Sequence, residues 1–328
     1  MKRFLAPKAG WIGMMLLIFV ISFQCVGWAA EFERRDVTFK SQGLNCAGWY
    51  YVPQDVTPGE KHPAIVMAHG FTAVKEMGLG KFAEEFARAG FVVLVFDYRY
   101  LGASEGEPRG QVFYFEQQQD YRNAITWVSL QKEVDSERIG IWGTSDSGGY
   151  VLHLGAFDKR VKAVVAQIPT INARYQSLSA EAQARRAAFY ARNRVQEYKK
   201  GIVNYFPIIG SAGQPACFPQ KEAHDYFTRL AKEAPNWKNQ ITMESLDIYK
   251  EFAPGTFIHL IAPTPLLMIV ASKDIVTSSE GEIKAFERAG EPKKLVVLKG
   301  DHFALFEGSS FSEASTEAVA WFEQYLKL

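Results

Sequence analysis

Between two stretches of apolar and helical pattern lies Gly143-Thr144-Ser145-Asp146-Ser147-Gly148-Gly149. An apolar run ending at Trp142 precedes it, and a run able to form a helix follows. A serine held on a sharp strand-to-helix turn can serve as a nucleophile, provided that the residues two before and two after it are small enough to let strand and helix close up. Gly143 and Ser147 satisfy that requirement around Ser145. A serine hydroxyl is scarcely ionised at neutral pH, so it needs a base within hydrogen-bond reach, and the base in turn needs a group that fixes its tautomer.

Of the six histidines, His62 precedes Pro63 at a strand entrance and His153 lies two turns down the helix that follows Ser145. His224 and His259 fall within or at the exit of a segment lacking the strand rhythm, and His69 is read as a structural contact. His302, in Lys299-Gly300-Asp301-His302-Phe303 just after the last strand run, is the expected base. Asp274, in Ser272-Lys273-Asp274 after the run Leu266 to Ala271, is the expected acid. Asp301 is excluded because adjacent residues do not readily aim one side chain at the other's ring. The backbone N–H groups of Asp146, at a helix start, and of Phe71, in His69-Gly70-Phe71, are the expected donors to an oxygen that becomes negative during acyl transfer. The order Ser145, Asp274, His302 is that of α/β-hydrolases. Asp146-Ser147-Gly148-Gly149 also resembles the segment around the nucleophile of trypsin-like proteases, but those are all-β barrels whose His and Asp precede the Ser.

Positioning these residues falls to an alternation of apolar runs and amphipathic stretches, which predicts an α/β fold: a mostly parallel, doubly wound sheet with an inserted helical lid. Strands are expected at Val37 to Phe39, Leu44 to Val52, Ala64 to Ala68, Phe91 to Phe96, Arg138 to Trp142, Val161 to Ile168, Leu266 to Ala271 and Leu295 to Leu298. Helices are expected at Leu79 to Ala89, Tyr121 to Leu130, from Ser147, at Glu280 to Ala289 and at Glu313 to Leu326. Between 171 and 258 the strand rhythm stops, and Ala180 to Lys200, Lys221 to Glu233 and Met243 to Phe252 are amphipathic. The expected organisation is a signal peptide over 1–29, the first part of the core over 30–170, the lid over 171–258 and the second part of the core over 259–328. Arg185, Arg186, Arg192 and Arg194 are read as the solvated face of a lid helix whose apolar face covers the pocket.

Composition narrows the classes. Hydrophobic residues make up 48% and charged residues 22%, the balance of a folded protein. Lys plus Arg number 37 against 36 for Asp plus Glu, and three of the basic residues, Lys2, Arg3 and Lys8, sit ahead of the apolar run Trp11 to Phe23. No basic field of the kind nucleic acid requires is left, so no nucleic-acid partner is expected. The basic start, the apolar run and the small residues Gly27 and Ala29 predict a secretory signal cleaved after Ala29, placing the protein in the periplasm or outside the cell. The alternative is an uncleaved membrane anchor, the one case in which a membrane is a partner. Cys25, Cys46 and Cys217 lack metal-ligand spacing, so no metal or cofactor is expected; export would allow one bridge between Cys46 and Cys217.

From about residue 34 onward the chain resembles serine hydrolases of the α/β-hydrolase superfamily. His69-Gly70-Phe71 with Lys75-Glu76, Phe96-Asp97-Tyr98-Arg99, Gly102-Ala103-Ser104-Glu105-Gly106-Glu107-Pro108-Arg109 and Ile141-Trp142-Gly143-Thr144-Ser145 are similar to the dienelactone-hydrolase-like and Xaa-Pro-dipeptidyl-peptidase-like branch. The resemblance implies cleavage of an ester, thioester or related acyl bond of a small-molecule substrate through an acyl-enzyme. The alternatives are a peptidase acting on short peptides and a non-catalytic binding protein on the same fold. One position departs from the branch, which usually carries Tyr immediately after the nucleophile where this chain has Asp146. Replacing Asp146 by Tyr or Asn is expected to preserve or raise activity, because either change removes a charge beside the developing oxyanion.

Overall fold

The computed structural model describes Met1 and residues 31–54, 59–173, 179–211 and 213–327. Apart from Met1, the expected signal segment, Cys25 included, lies outside the described residues. The chain opens with an antiparallel hairpin, β1 (Phe32–Ser41) and β2 (Leu44–Pro53), followed by β3 (His62–Ala68), α1 (Leu79–Arg88), β4 (Val92–Phe96), α2 (Tyr114–Ser129), β5 (Val134–Thr144), α3 (Asp146–Phe157) and β6 (Val161–Gln167). The sheet resumes after the insertion with β9 (Leu266–Ala271), α7 (Ser279–Glu287), β10 (Lys293–Leu298) and α8 (Gly308–Leu326). The strand order is β1-β2-β4-β3-β5-β6-β9-β10. All pairings from β4 to β10 are parallel, while β2 meets β4 antiparallel.

Both faces of this sheet are covered, which is why its central strands read as unbroken apolar runs. In β3, Ala64, Val66 and Ala68 face the core shared with Tyr121 of α2 and Tyr150 of α3, whereas Ile65 and Met67 face the core shared with Phe82 of α1 and Phe322 of α8. Parallel strands bring their C-terminal ends to one edge. The segments after β3, β5, β9 and β10, carrying Phe71, Ser145, Asp274 and His302, therefore gather there.

The inserted segment contains α4 (Ala180–Lys200), α5 (Lys221–Leu230) and α6 (Met243–Tyr249), with a small antiparallel ribbon of β7 (Tyr205–Phe206) and β8 (Ile241–Thr242). The helices lie where the amphipathic pattern puts them; the two-residue strands are too short to leave one. On α5, Ala223, Tyr226, Phe227 and Leu230 form one buried stripe. On α4 only Tyr190 is buried. The helix bearing the arginines is thus not the one that covers the pocket: Arg194 instead pairs with Asp247 and ties α4 to α6. The last part of the insertion, Phe252 and the 3-10 turn Pro254–Leu260, packs into the core beside Tyr150.

Candidate active site

Ser145 sits at the vertex between β5 and α3 with φ 56° and ψ −117°, a left-handed conformation that costs a non-glycine residue on the order of 1–3 kcal/mol. The surroundings hold it there. The N–H of Ser145 donates to Gln167 O at 2.9 Å, and its own carbonyl accepts from Gly149 and Thr170 at 3.1 and 2.9 Å. A Cβ on Gly143 would lie 2.2 Å from the carbonyl oxygen of Ser147, so strand and helix approach as closely as the small residues permit.

His302 Nε2 is 3.1 Å from Ser145 Oγ, and His302 Nδ1 is 2.7 Å from Asp274 Oδ2. A carboxylate can only accept, so Nδ1 carries the proton and Nε2 is left to accept from the serine hydroxyl. The three residues are at most 8% exposed. Asp274 is held from further sides: Oδ1 accepts from the N–H groups of Val276 and Thr277 at 2.8 and 3.1 Å, and Oδ2 from Thr277 Oγ1 at 2.9 Å. Burial acts to raise the Asp274 carboxyl, but the neighbouring His302 charge, the His302 hydrogen bond and the Thr277 donors outweigh it and hold the group below the usual range. Behind it, Glu282 is fully buried, bonded at 2.9 Å to Thr277 Oγ1 and raised well above an ordinary carboxyl, by desolvation first and the Asp274 charge second. Neither Thr277 nor Glu282 carries a sequence signal, since their parts follow from burial beside Asp274.

The loop after β3 presses onto Ser145. A Cβ on Gly70 would stand 2.9 Å from Ser145 Cβ. The next N–H is that of Phe71, and among the described residues no protein acceptor takes it or the N–H of Asp146. Asp97, at the end of β4, anchors this loop by accepting from the Lys75 N–H at 2.7 Å and Lys75 Nζ at 2.8 Å. His69 is 1% exposed, with Nδ1 2.9 Å from the Gly70 carbonyl, Nε2 3.7 Å from Asp97 Oδ1 and its ring against Tyr98, the contacts of a residue that supports this loop. Cys46 and Cys217 are both free thiols.

Asp146 is enclosed rather than open to a ligand. Its Oδ1 accepts from Thr170 Oγ1 at 2.8 Å and from the Tyr249 hydroxyl, and the residue is 2% exposed. The carboxylate is bonded to these partners and not open to solvent, so replacing it by Tyr removes both hydrogen bonds as well as the charge on which the expectation of preserved activity rests. Burial raises the Asp146 carboxyl from its ordinary 3.8 to about 6, against the hydrogen bonds from Tyr249 and Thr170. Ionising it in the folded protein is therefore unfavourable. That cost is absent below about pH 4, where folded and unfolded chains are both protonated, grows as pH rises and is complete above about 6; two pKa units correspond to at most ~3 kcal/mol. Asp146→Asn is expected to melt higher than the parent at about pH 8, with the advantage fading as pH falls to about 4. A pH-independent offset in Tm would contradict this account.

A pocket of about 420 Å³, counted to its open mouth, adjoins Ser145 and His302. Phe71, Met77, Leu79, Phe218, Phe227 and Phe306 are among the side chains lining it, and among the described residues no Asp, Glu, Lys or Arg does so. The model of the X-Pro dipeptidyl-peptidase (S15) family matches residues 49–304, the stretch carrying Ser145, Asp274, His302 and each of these lining residues except Phe306. The chain belongs to this family. It is 33% identical to a thiohydrolase of Aspergillus aculeatus over 86% of this chain and 90% of that one. A hypothetical protein of Pseudomonas aeruginosa, PA2218, has a crystal structure that superposes with a TM-score of 0.81 at 30% identity, covering 96% of this chain and all of that one. The α/β-hydrolase GrgF of a Penicillium species superposes at 0.79 with 26% identity, over 90% of this chain and all of that one. The S15 protein described here is thus a hydrolase of the α/β-hydrolase fold.

Proposed function

We propose that this hydrolase cleaves esters or thioesters of uncharged, apolar acyl groups through an acyl-enzyme on Ser145. His302 Nε2 takes the hydroxyl proton as Oγ attacks the acyl carbon, and the N–H groups of Phe71 and Asp146 receive the oxygen as it becomes negative. The proton passes to the departing alkoxide or thiolate. Water then attacks the acyl-enzyme, His302 removing its proton and returning it to Ser145 Oγ, and the carboxylic acid leaves. Asp274 holds the imidazole tautomer and offsets the imidazolium charge.

The observation that carries this reading is the aromatic lining beside Ser145. A peptidase that holds a free amino terminus needs a buried acid to meet the ammonium, because an unpaired buried charge is costly. Among the described residues lining this pocket there is none. The thiohydrolase name of the Aspergillus relative supports a thioester as one substrate class. The basic and apolar pattern of residues 1–29 supports export with cleavage after Ala29, checked by the mass of the mature N-terminus.

A series of p-nitrophenyl and thiol esters with neutral acyl chains, run beside aminoacyl p-nitroanilides and esters, tests the assignment. Neutral acyl esters are expected to exceed their α-ammonium counterparts by at least about 100-fold in kcat/KM, equivalent to ~2.7 kcal/mol. A preference for the aminoacyl compounds would overturn it in favour of a peptidase.

A further inference from the structure

Tyr249 ends α6, in the inserted segment, yet its side chain touches both backbone stretches that carry the oxyanion donors. Its hydroxyl donates to Asp146 Oδ1. Its ring packs on the ring of Phe71 with centroids 4.7 Å apart and planes at 44°. Phe71 follows β3 and Asp146 follows β5, so they are neighbours only through the sheet and the loop contact at Gly70. Two N–H groups stabilise one developing charge only if both reach the same oxygen, and a displacement of a few tenths of an ångström at either weakens the pair.

Asp146 gives the brace something to hold. The carboxylate is cut off from water, and among the described residues Oδ2 has no hydrogen-bond partner. The orientation of this side chain therefore depends on the two hydroxyls at Oδ1, one from Thr170 in the turn after β6 and one from Tyr249. Thr170 belongs to the core and also caps the Ser145 carbonyl through its N–H. Tyr249 is the one contributed by the insertion. Its ring is further steadied by Phe252, 6.1 Å away between centroids, which is itself rooted in the core against Tyr150 at 4.9 Å.

We propose that Tyr249 is a positioning residue for the oxyanion hole, bracing the Asp146 side through its hydroxyl and the Phe71 side through its ring. The inserted segment thereby contributes to the chemical step as well as to the pocket wall. The inference rests on the acyl-enzyme reading above.

Tyr249→Phe keeps the ring and deletes the hydroxyl; Tyr249→Leu deletes both contacts. With a neutral acyl ester, Tyr249→Phe is expected to lower kcat about 10- to 30-fold with KM within about twofold, the pattern of an interaction made in the transition state alone. Tyr249→Leu should lower kcat further. A boronic acid, which forms a tetrahedral adduct on serine, should lose affinity for Tyr249→Phe by the same factor as kcat, while the product carboxylic acid binds as to the parent. Parental kcat and boronate affinity in Tyr249→Phe would overturn the proposal, as would equal losses for boronate and product acid, which mark a loosened pocket. Turnover persisting in Ser145→Ala would instead refute the acyl-enzyme itself, so the two failures are distinguishable.

Discussion

Ser145→Ala is expected to remove turnover, with a fall in kcat on the order of 10⁶-fold, while Ser147→Ala keeps most of it. The two hydroxyls are two residues apart and both buried, but they face different partners. Ser145 Oγ is 3.1 Å from His302 Nε2. Ser147 Oγ is 2.7 Å from the Tyr98 hydroxyl, inside the first turn of α3, in contact with neither His302 nor the pocket. Losing the Ser147 hydroxyl leaves one buried phenol short of a partner, a cost of ~1–2 kcal/mol in stability and not in the chemical step. Ester hydrolysis and fluorophosphonate labelling of both variants separate the two serines: labelling should vanish for Ser145→Ala and persist for Ser147→Ala. The reverse pattern would move the nucleophile to Ser147 and leave the strained backbone at Ser145 without a purpose.

The sharp turn at Ser145 was legible because a tight strand-to-helix turn constrains backbone and neighbours locally. Gly143 is required by a close approach, and strand and helix patterns flank it. Asp274 and His302 were legible for a related reason: parallel strands deliver their following loops to one edge, so position after β9 and β10 is itself information. Polar burial defeated the pattern elsewhere. Helix α2 begins at Tyr114, seven residues before the apolar periodicity suggests, because its first turns bury Gln117, Gln118 and Asp120. Asp120 is paired with Arg99 at 2.5 Å and bonded to Ser41, partners that are distant in sequence. Glu282, Thr170 and Tyr249 were invisible on the same ground. Each acquires its part only when folding removes water around Asp274 or Asp146, and no local spacing records that.

His302→Ala and Asp274→Ala are each expected to collapse activity, and the doubly changed enzyme should be little slower than His302→Ala alone. The structure gives Asp274 one route to the reaction, through His302 Nδ1 at 2.7 Å. Once the imidazole is gone, the carboxylate has nothing to orient and no imidazolium to offset. Losses on the order of 10⁶-fold for the base and 10⁴-fold for the acid, typical of such units, would multiply to about 10¹⁰ if the two acted independently, a larger factor than the whole triad contributes. Non-additivity is therefore forced by the geometry if both residues serve Ser145. The residual rate in the double variant should stay above the uncatalysed reaction, because the N–H donors at Phe71 and Asp146 and the aromatic pocket remain. Steady-state kcat for the four enzymes on one neutral acyl ester decides the matter. Losses that multiply would detach Asp274 from His302 and point to a separate task for the carboxylate, with the buried Glu282, bonded to the same Thr277 hydroxyl, the first group to test in its place.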